Sequence, residues 1–85
     1  MKTQQEIQDW SVNRIATLLD MQKEKVDPNM DFDRLGLDSA IAVSLLVDLE
    51  AELEIEVPPT LLFEKSNLAE IAAHLADQLK EGAVA

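Results

Sequence analysis

The chain has 85 residues, no cysteine and a formal net charge of −10 at pH 7, with 17 acidic against 7 basic residues. A chain this short is expected to form a single domain, residues 1–85 with a core over about residues 5–80, which leaves no room for a deep catalytic cleft beside a second lobe. The composition excludes a disulfide framework and a thiolate metal site, and the lack of a signal peptide or of a run of ~20 apolar residues predicts a cytoplasmic protein.

The acidic residues are concentrated in one stretch of the chain. Residues 35–64 contain no lysine or arginine. The same residues include seven acids: Asp38, Asp48, Glu50, Glu52, Glu54, Glu56 and Glu64. A surface of one charge sign repels nucleic acid and anionic membranes but attracts basic protein surfaces. We therefore expect a protein partner with a basic contact surface, and neither nucleic-acid nor membrane binding.

Residues 3–21 are predicted to form the first helix. Thr3 and Glu6 have the spacing of a capping box, in which each side chain accepts from the backbone N–H of the other residue. Apolar residues then recur at intervals of three and four, with some polar members, which is typical of a helix with one buried face. This stripe consists of Ile7, Trp10 or Ser11, Arg14 or Ile15, Leu18 and Leu19.

The helical period breaks over residues 22–38. Asp27-Pro28-Asn29 indicates a turn, because proline fixes φ and the flanking polar side chains hydrogen-bond locally. A long loop without contacts is unusual in a small domain, so we expect its apolar residues to hold it against the helices. These residues are Phe32, Leu35 and Leu37.

Residues 39–53 are predicted to form the second helix. Apolar residues fall on one face of it at intervals of three and four. They are Ala42, Leu45, Leu46, Leu49 and Leu53. Residues 54–57 alternate like a strand but have no second strand to pair with, so we interpret them as an extended connector that ends at Pro58-Pro59.

The remaining chain predicts one short helix and one long helix. Thr60 is expected to cap a single turn, and Asn67 with Glu70 resembles a capping box at the start of the final helix. This helix is expected to run to about Lys80 and to end at Gly82, with a frayed tail. The predicted fold is therefore all-α, a four-helix bundle with three main helices, one short helix and a long first loop.

The sequence Leu35-Gly36-Leu37-Asp38-Ser39-Ala40 places a serine at the start of the second helix. Nucleophilic catalysis needs a base within hydrogen-bond reach, and the only histidine, His74, falls on the final helix, where we expect it to be partly exposed. An N-cap role would suit Ser39 but would leave Gly36 unexplained. A phosphate ester on Ser39 explains more, because a helix N-terminus stabilises an anion and Gly36 permits a sharp turn.

This motif and its surroundings resemble acyl carrier proteins over about residues 5–80. The stretch LGLDSA followed by VSLLVDLE is similar to their phosphopantetheine attachment motif. The stretches WSVNRIATLL, FDRLGLDS and VPPTLLFEKSNLAEIAAHLADQL resemble the first helix, the approach to the second helix and the last two helices of carrier domains from type I polyketide synthases.

The resemblance implies that the chain is an acyl carrier protein and not an enzyme. Ser39 would carry 4′-phosphopantetheine, transferred from coenzyme A by a separate phosphopantetheinyl transferase. Asp38 would help the transferase to place its metal, and Gly36 and Leu37 would shape the approach. Acyl or polyketide intermediates would be bound to the arm as thioesters and delivered to a ketosynthase, an acyltransferase and tailoring enzymes. The domain is expected to be a monomer with no metal of its own.

The docking face implied by the resemblance lies on the second helix and its flanks. It consists of Ala40, Ile41, Ser44, Val47, Asp48 and Ala51. Ile41 and Val47 are expected to be exposed apolar residues of this face. Ile41 and Ser44 occupy positions where discrete fatty-acid carriers usually have acids, which favours a polyketide-type carrier, and Asp38 argues against the peptide-synthetase class.

Two alternatives to the carrier role are considered. The same fold could serve as an unmodified protein-interaction module. The other alternative is a divalent-cation site, because polar residues of the first loop have the spacing of an EF-hand, although Phe32 stands where that loop requires glycine. The residues at this spacing are Asp27, Asn29, Asp31, Asp33 and Asp38.

Overall fold

A computed structural model describes residues 3–84 of the chain, with side chains for residues 3–80, and all regular elements in this range are helices. They are α1 (Gln4–Leu19), a 3₁₀ helix (Lys23–Lys25), α2 (Phe32–Leu35), α3 (Ser39–Leu53), α4 (Leu61–Glu64) and α5 (Leu68–Val84). The predicted all-α class is therefore confirmed. Of the predicted frayed tail, Ala85 lies outside the described residues.

Helix α1 begins at the predicted capping box. The Thr3 hydroxyl accepts from the Glu6 N–H at 3.1 Å, and a Glu6 carboxylate oxygen accepts from the Thr3 N–H at 3.2 Å. The helix ends two residues earlier than predicted, because Asp20 adopts a left-handed conformation with a φ of 54°. Ser11 is 1% exposed, and its hydroxyl donates to the carbonyl one turn earlier at 2.8 Å. The polar member of the apolar stripe is thus buried with its hydrogen bond made.

Helix α3 has the predicted bounds and the predicted buried face. Its buried residues are Ala42, Leu45, Leu46, Leu49 and Leu53. The four leucines pack into one hydrophobic core with apolar residues of α1 and α5, among them Ile7, Ile15, Leu68, Ile71 and Leu75. Arg14 of α1 also forms an ion pair with Asp48 of α3, with 2.7 Å between Nε and Oδ2. Apolar packing and this ion pair together hold α3 against α1.

The loop between α1 and α3 is more structured than predicted. It contains α2, a one-turn helix that the sequence does not reveal because four residues are too few to show a helical period. The described range therefore contains two short α-helices and not one, besides the 3₁₀ helix. Leu37 is buried, and Phe32 and Leu35 are half-buried against the core, as predicted. The Phe32 N–H also donates to the Ser66 carbonyl at 3.1 Å, which attaches the loop to the segment in front of α5.

Residues 54–60 connect α3 to α4 without forming a strand, as predicted. Glu50 Oε2 accepts from the Val57 N–H at 2.8 Å, and Gln78 Nε2 donates to the Glu56 carbonyl at 3.2 Å. Val57 itself is buried. Because Glu50 belongs to α3 and Gln78 to α5, the connector is fixed to both long helices before α4 begins.

Two predicted details of the last helices are wrong. Thr60 has helical dihedral angles and makes no side-chain capping bond to α4. This turn is held instead by its own backbone hydrogen bonds and by the buried side chain of Leu61. Helix α5 continues through Gly82 to Val84, because a single glycine costs a helix only ~1 kcal/mol relative to alanine.

The start of α5 is close to the predicted capping box but differs in one bond. Asn67 Oδ1 accepts from the Glu70 N–H at 2.8 Å, as predicted. The Glu70 carboxylate reaches back to the Ser66 N–H at 3.0 Å and not to the Asn67 N–H. Within the described part of the chain, no helix combines the length and the apolar character that a membrane crossing requires.

Candidate functional site

Ser39 is the first residue of α3, and it is exposed. The N-cap is Asp38, whose Oδ1 accepts from the Ile41 N–H at 2.9 Å. The alternative that Ser39 itself is the N-cap is therefore wrong. Asp38 caps the helix, and the Ser39 hydroxyl has no hydrogen-bond partner among the described residues.

Gly36 and Leu37 set the direction in which the chain enters α3. Gly36 ends α2 with a φ of 87°, in the left-handed region that residues with a Cβ rarely adopt. A Cβ built there would meet no atom within 4 Å, so the glycine is needed for its backbone conformation and not for space. Leu37 is 6% exposed and donates its N–H to the Phe32 carbonyl at 3.0 Å. The turn therefore buries Leu37 and leaves Ser39 facing solvent.

Ser39 borders a recess of about 460 Å³ between the start of α3 and α4. The lining consists of Phe32, Asp33, Leu37, Asp38, Ser39, Ala42, Val43, Pro59, Leu62 and Phe63. Phe63 is 90% exposed although it is a large apolar residue. The sequence indicates the α3 side of this recess but not the α4 side, because the helical period cannot assign faces in a helix of four residues.

A second recess, of about 560 Å³, contains the only histidine and meets the first recess only at Pro59. Its lining consists of Glu50, Glu56, Val57, Pro58, Pro59, His74 and Gln78. His74 lies on α5, as predicted, and is exposed where partial exposure is predicted; it does not share a recess with Ser39. Among the described residues, no imidazole is therefore placed to activate the Ser39 hydroxyl, and the geometry of a serine hydrolase is not formed.

The docking face expected on the second helix is only partly exposed. Its exposed members are Ala40, Ser44, Val47 and Ala51. Val47 has 57% of its surface exposed, as expected. Ile41, which was expected to be exposed, is half-buried and packs against the core because it lies next to the buried stripe. Asp48 is 31% exposed and is paired with Arg14. The exposed part of this face is therefore small, and its carboxylate already has a cationic partner.

The polar residues of the EF-hand-like spacing take part in local structure. Asp27 Oδ1 accepts from the Asn29 N–H at 2.9 Å, and Asp38 caps α3. Asp31 stands at the N-cap of α2 without a side-chain capping bond. No group of three or more histidine, cysteine, aspartate or glutamate residues in the described ranges is placed to hold a metal ion. The divalent-cation alternative therefore has no support in the geometry of this loop.

The fold is that of solved carrier proteins. A free-standing peptidyl carrier protein from a secondary metabolic pathway of Acinetobacter baumannii has a TM-score of 0.86 at 29% identity, over 93% of this chain and 99% of that one. An acyl carrier protein from Anabaena, Asl1650, which has a variant phosphopantetheinylation-site sequence, has a TM-score of 0.82 at 32% identity, over 89% of this chain and 86% of that one. The chain therefore belongs to the class of small helical carrier proteins.

The sequence match identifies the family within this class. Residues 12–75 match the family described as the phosphopantetheine attachment site, and the protein is a member of that family. The polyketide synthase PksM of Bacillus subtilis is 35% identical over 80% of this chain, which spans only 2% of the length of that synthase. The carrier role and the phosphopantetheine cofactor expected from the sequence are thereby confirmed.

Proposed function

We propose that Ser39 is the residue to which 4′-phosphopantetheine is attached. The observation that supports this most strongly is the exposed Ser39 hydroxyl, which has no hydrogen-bond partner among the described residues and lies within the matched region, residues 12–75. The base and the magnesium ion needed for the transfer come from a separate phosphopantetheinyl transferase. The serine therefore needs exposure and not activation by a neighbouring side chain.

In the proposed reaction, Ser39 Oγ attacks the β-phosphorus of coenzyme A. The new Oγ–P bond replaces the anhydride bond to the nucleotide, adenosine 3′,5′-bisphosphate leaves, and the hydroxyl proton passes to a base of the transferase. The backbone N–H groups of Ser39 and Ala40 have no partner among the described residues, and the positive end of the α3 dipole stabilises the phosphodiester that forms. Asp38 supports this arrangement because its side chain accepts from the Ile41 N–H and so caps α3. We also assign to Asp38 the role of placing the metal of the transferase.

The residues around Ser39 fit a flexible arm attached at this point. Gly36 and Leu37 fix the turn that exposes the hydroxyl, and the recess of about 460 Å³ offers apolar surface beside it. The arm supplies a terminal thiol on which acyl groups are held as thioesters. Tethering raises the concentration of the bound group at each enzyme that the carrier visits.

The similarity to PksM supports a polyketide-type pathway, and we place this pathway in the cytoplasm. The proposed partners are a ketosynthase, an acyltransferase and tailoring enzymes, visited by a monomeric carrier. We assign their docking to the exposed face of α3, which consists of Ala40, Ser44, Val47 and Ala51 with Ile41 and Asp48 at its edges. A small face of this kind suits contacts that must form and release in each cycle.

The proposal is tested by intact mass of the parent chain and of Ser39→Ala after incubation with coenzyme A, magnesium and a promiscuous phosphopantetheinyl transferase. The parent is expected to gain one phosphopantetheine, and Ser39→Ala is expected to gain none while unfolding at the same urea concentration. A mass gain in both proteins would show that the phosphopantetheine is attached to a residue other than Ser39. No gain in a folded parent with several transferases would favour the unmodified interaction module instead.

A further inference from the structure

The surface formed by α2 and α4 contains two adjoining recesses. The recess beside Ser39 and a smaller one of about 200 Å³ share Phe32, Asp33 and Leu62. We call the surface around them the α2–α4 face. It consists of Asp31, Phe32, Asp33, Leu62, Phe63 and Ser66. The α3 docking face described above includes none of these residues.

Phe63 stands out on this face because the fold does not use it. It is 90% exposed, whereas Leu61 in the same turn is 1% exposed and anchors α4 to the core. A single exposed apolar residue is common on protein surfaces. An exposed aromatic ring at the edge of a recess is, however, the kind of residue that becomes a hot spot when a partner buries it. Phe63 differs from other exposed apolar residues because it lines the same recess as Ser39, so that a protein bound at Ser39 can bury it.

The rim of the α2–α4 face is acidic. Asp31 and Asp33 are exposed, and neither has an ion-pair partner in the part of the chain that the structure describes. Asp38 adds a third carboxylate beside Ser39, and Arg34 is the one basic residue of α2. An apolar centre with an acidic rim is complementary to a partner surface with an apolar pocket and basic residues around it.

An enzyme that acts on Ser39 must bring its active site to the hydroxyl, so its contact surface covers the recess that Ser39 shares with Phe63. We propose that the phosphopantetheinyl transferase docks on the α2–α4 face, with Phe63 in an apolar pocket of the transferase and basic residues of the transferase opposite Asp31 and Asp33. This inference rests on the proposed function of Ser39. It separates the docking site of the loading enzyme from that of the pathway enzymes on α3.

The apolar part is tested by the kinetics of Ser39 loading in the full chain, followed by intact mass. Phe63→Ala is expected to lower kcat/KM about tenfold, mainly through a higher KM, as expected for a truncated aromatic hot spot. Phe63→Leu keeps much of the apolar volume and is expected to lose less. Val47→Ala truncates the other large apolar residue that is exposed among the described side chains, outside the α2–α4 face, and is expected to change kcat/KM by less than about twofold. Circular dichroism verifies that all three variants are folded.

The acidic rim is tested by a double variant with a matched control. Asp31→Asn with Asp33→Asn is expected to raise KM about threefold and to weaken the dependence of kcat/KM on salt concentration, because it removes charges that face the transferase. Asp31 makes no side-chain capping bond, so this change leaves the start of α2 intact. Glu52→Gln with Asp77→Asn removes the same charge from exposed residues outside both recesses and is expected to stay within about twofold of the parent.

Each other outcome has a separate meaning. Parent-like loading of Phe63→Ala would overturn the inference, and equal losses in Phe63→Ala and Val47→Ala would place the transferase on α3 instead. Equal effects of the two double variants would show general attraction by net charge and contradict a specific acidic rim. A parent chain that is never loaded would overturn the proposed function itself, and the inference with it.

Discussion

The recess around His74 and the recess beside Ser39 differ in whether the polar groups that line them are already hydrogen-bonded. The larger one, of about 560 Å³, contains His74, but the Glu50 carboxylate and the Gln78 amide that line it are already bonded to the connector. The recess of about 460 Å³ beside Ser39 has a hydroxyl without a partner and an exposed aromatic ring. The volume of a recess therefore does not mark the functional site, because the unused groups lie around the smaller of these two recesses.

The largest expected effect is a loss of stability that distinguishes Leu61, which anchors α4 in the core, from Phe63, which is exposed. Leu61→Ala removes a side chain that is 1% exposed, and the resulting cavity is expected to lower the free energy of unfolding by about 2–5 kcal/mol. Phe63→Ala, in the same turn, is expected to change it by less than about 0.5 kcal/mol. Urea denaturation followed by circular dichroism measures both values. Equal losses in the free energy of unfolding would show that Phe63 is part of the core. They would contradict the view that the recess beside Ser39 has an aromatic ring that the fold does not use.

A smaller effect tests whether the recess around His74 is structural. Glu50→Ala leaves the N–H of the buried Val57 without its acceptor and is expected to lower the free energy of unfolding by about 1–3 kcal/mol in urea denaturation. Ser39 is expected to be loaded at the parent rate. Glu50→Gln retains a side-chain acceptor and serves as the control, with most of the stability preserved. Slower loading of a fully stable Glu50→Ala would contradict the division of roles between the recesses.

The smallest expected effect concerns the start of α3. Asp38→Ala removes the N-cap and is expected to lower the free energy of unfolding by about 1 kcal/mol, whereas Asp38→Asn keeps an acceptor for the Ile41 N–H and preserves stability. Urea denaturation and loading kinetics are measured on both variants. If Asp38 also places the metal of the transferase, Asp38→Asn is loaded more slowly than the parent despite its stability. Parent-like loading of Asp38→Asn would limit this residue to capping.

Helix α3 could be predicted to the residue because two independent signals coincide there. Its apolar residues fall on one face, and a strong capping residue, Asp38, stands immediately before it. The two short helices give neither signal clearly, because each spans four residues, fewer than a helical period needs to be recognised. This is why α2 is not predicted and why the exposure of Phe63 is not foreseen.

In the candidate site too, features set by neighbouring residues can be predicted from the sequence, whereas contacts between distant residues cannot. Ser39 can be singled out from the sequence, because the glycine, the aspartate and the helix start all lie within four residues of it. The ion pair of Arg14 with Asp48 joins residues 34 positions apart, and no local pattern reveals it. The sequence therefore predicts a docking role for Asp48 but does not reveal that its carboxylate is paired with Arg14 of α1.

The packing of α3 would determine how a group attached at the proposed site, Ser39, can move. Buried residues occur along the helix from Ala42 to Leu53, and the ion pair to Arg14 adds a contact at its side. Ser39 therefore stands at the end of a helix that is packed against the core along most of its length. On the proposed function, a cargo attached there would change its position by rotation about the bonds beyond Oγ or by reorientation of the whole carrier. Each proposed partner enzyme would then set the path of the cargo through the angle at which it holds the protein, because Ser39 has the same place in the fold for all of them.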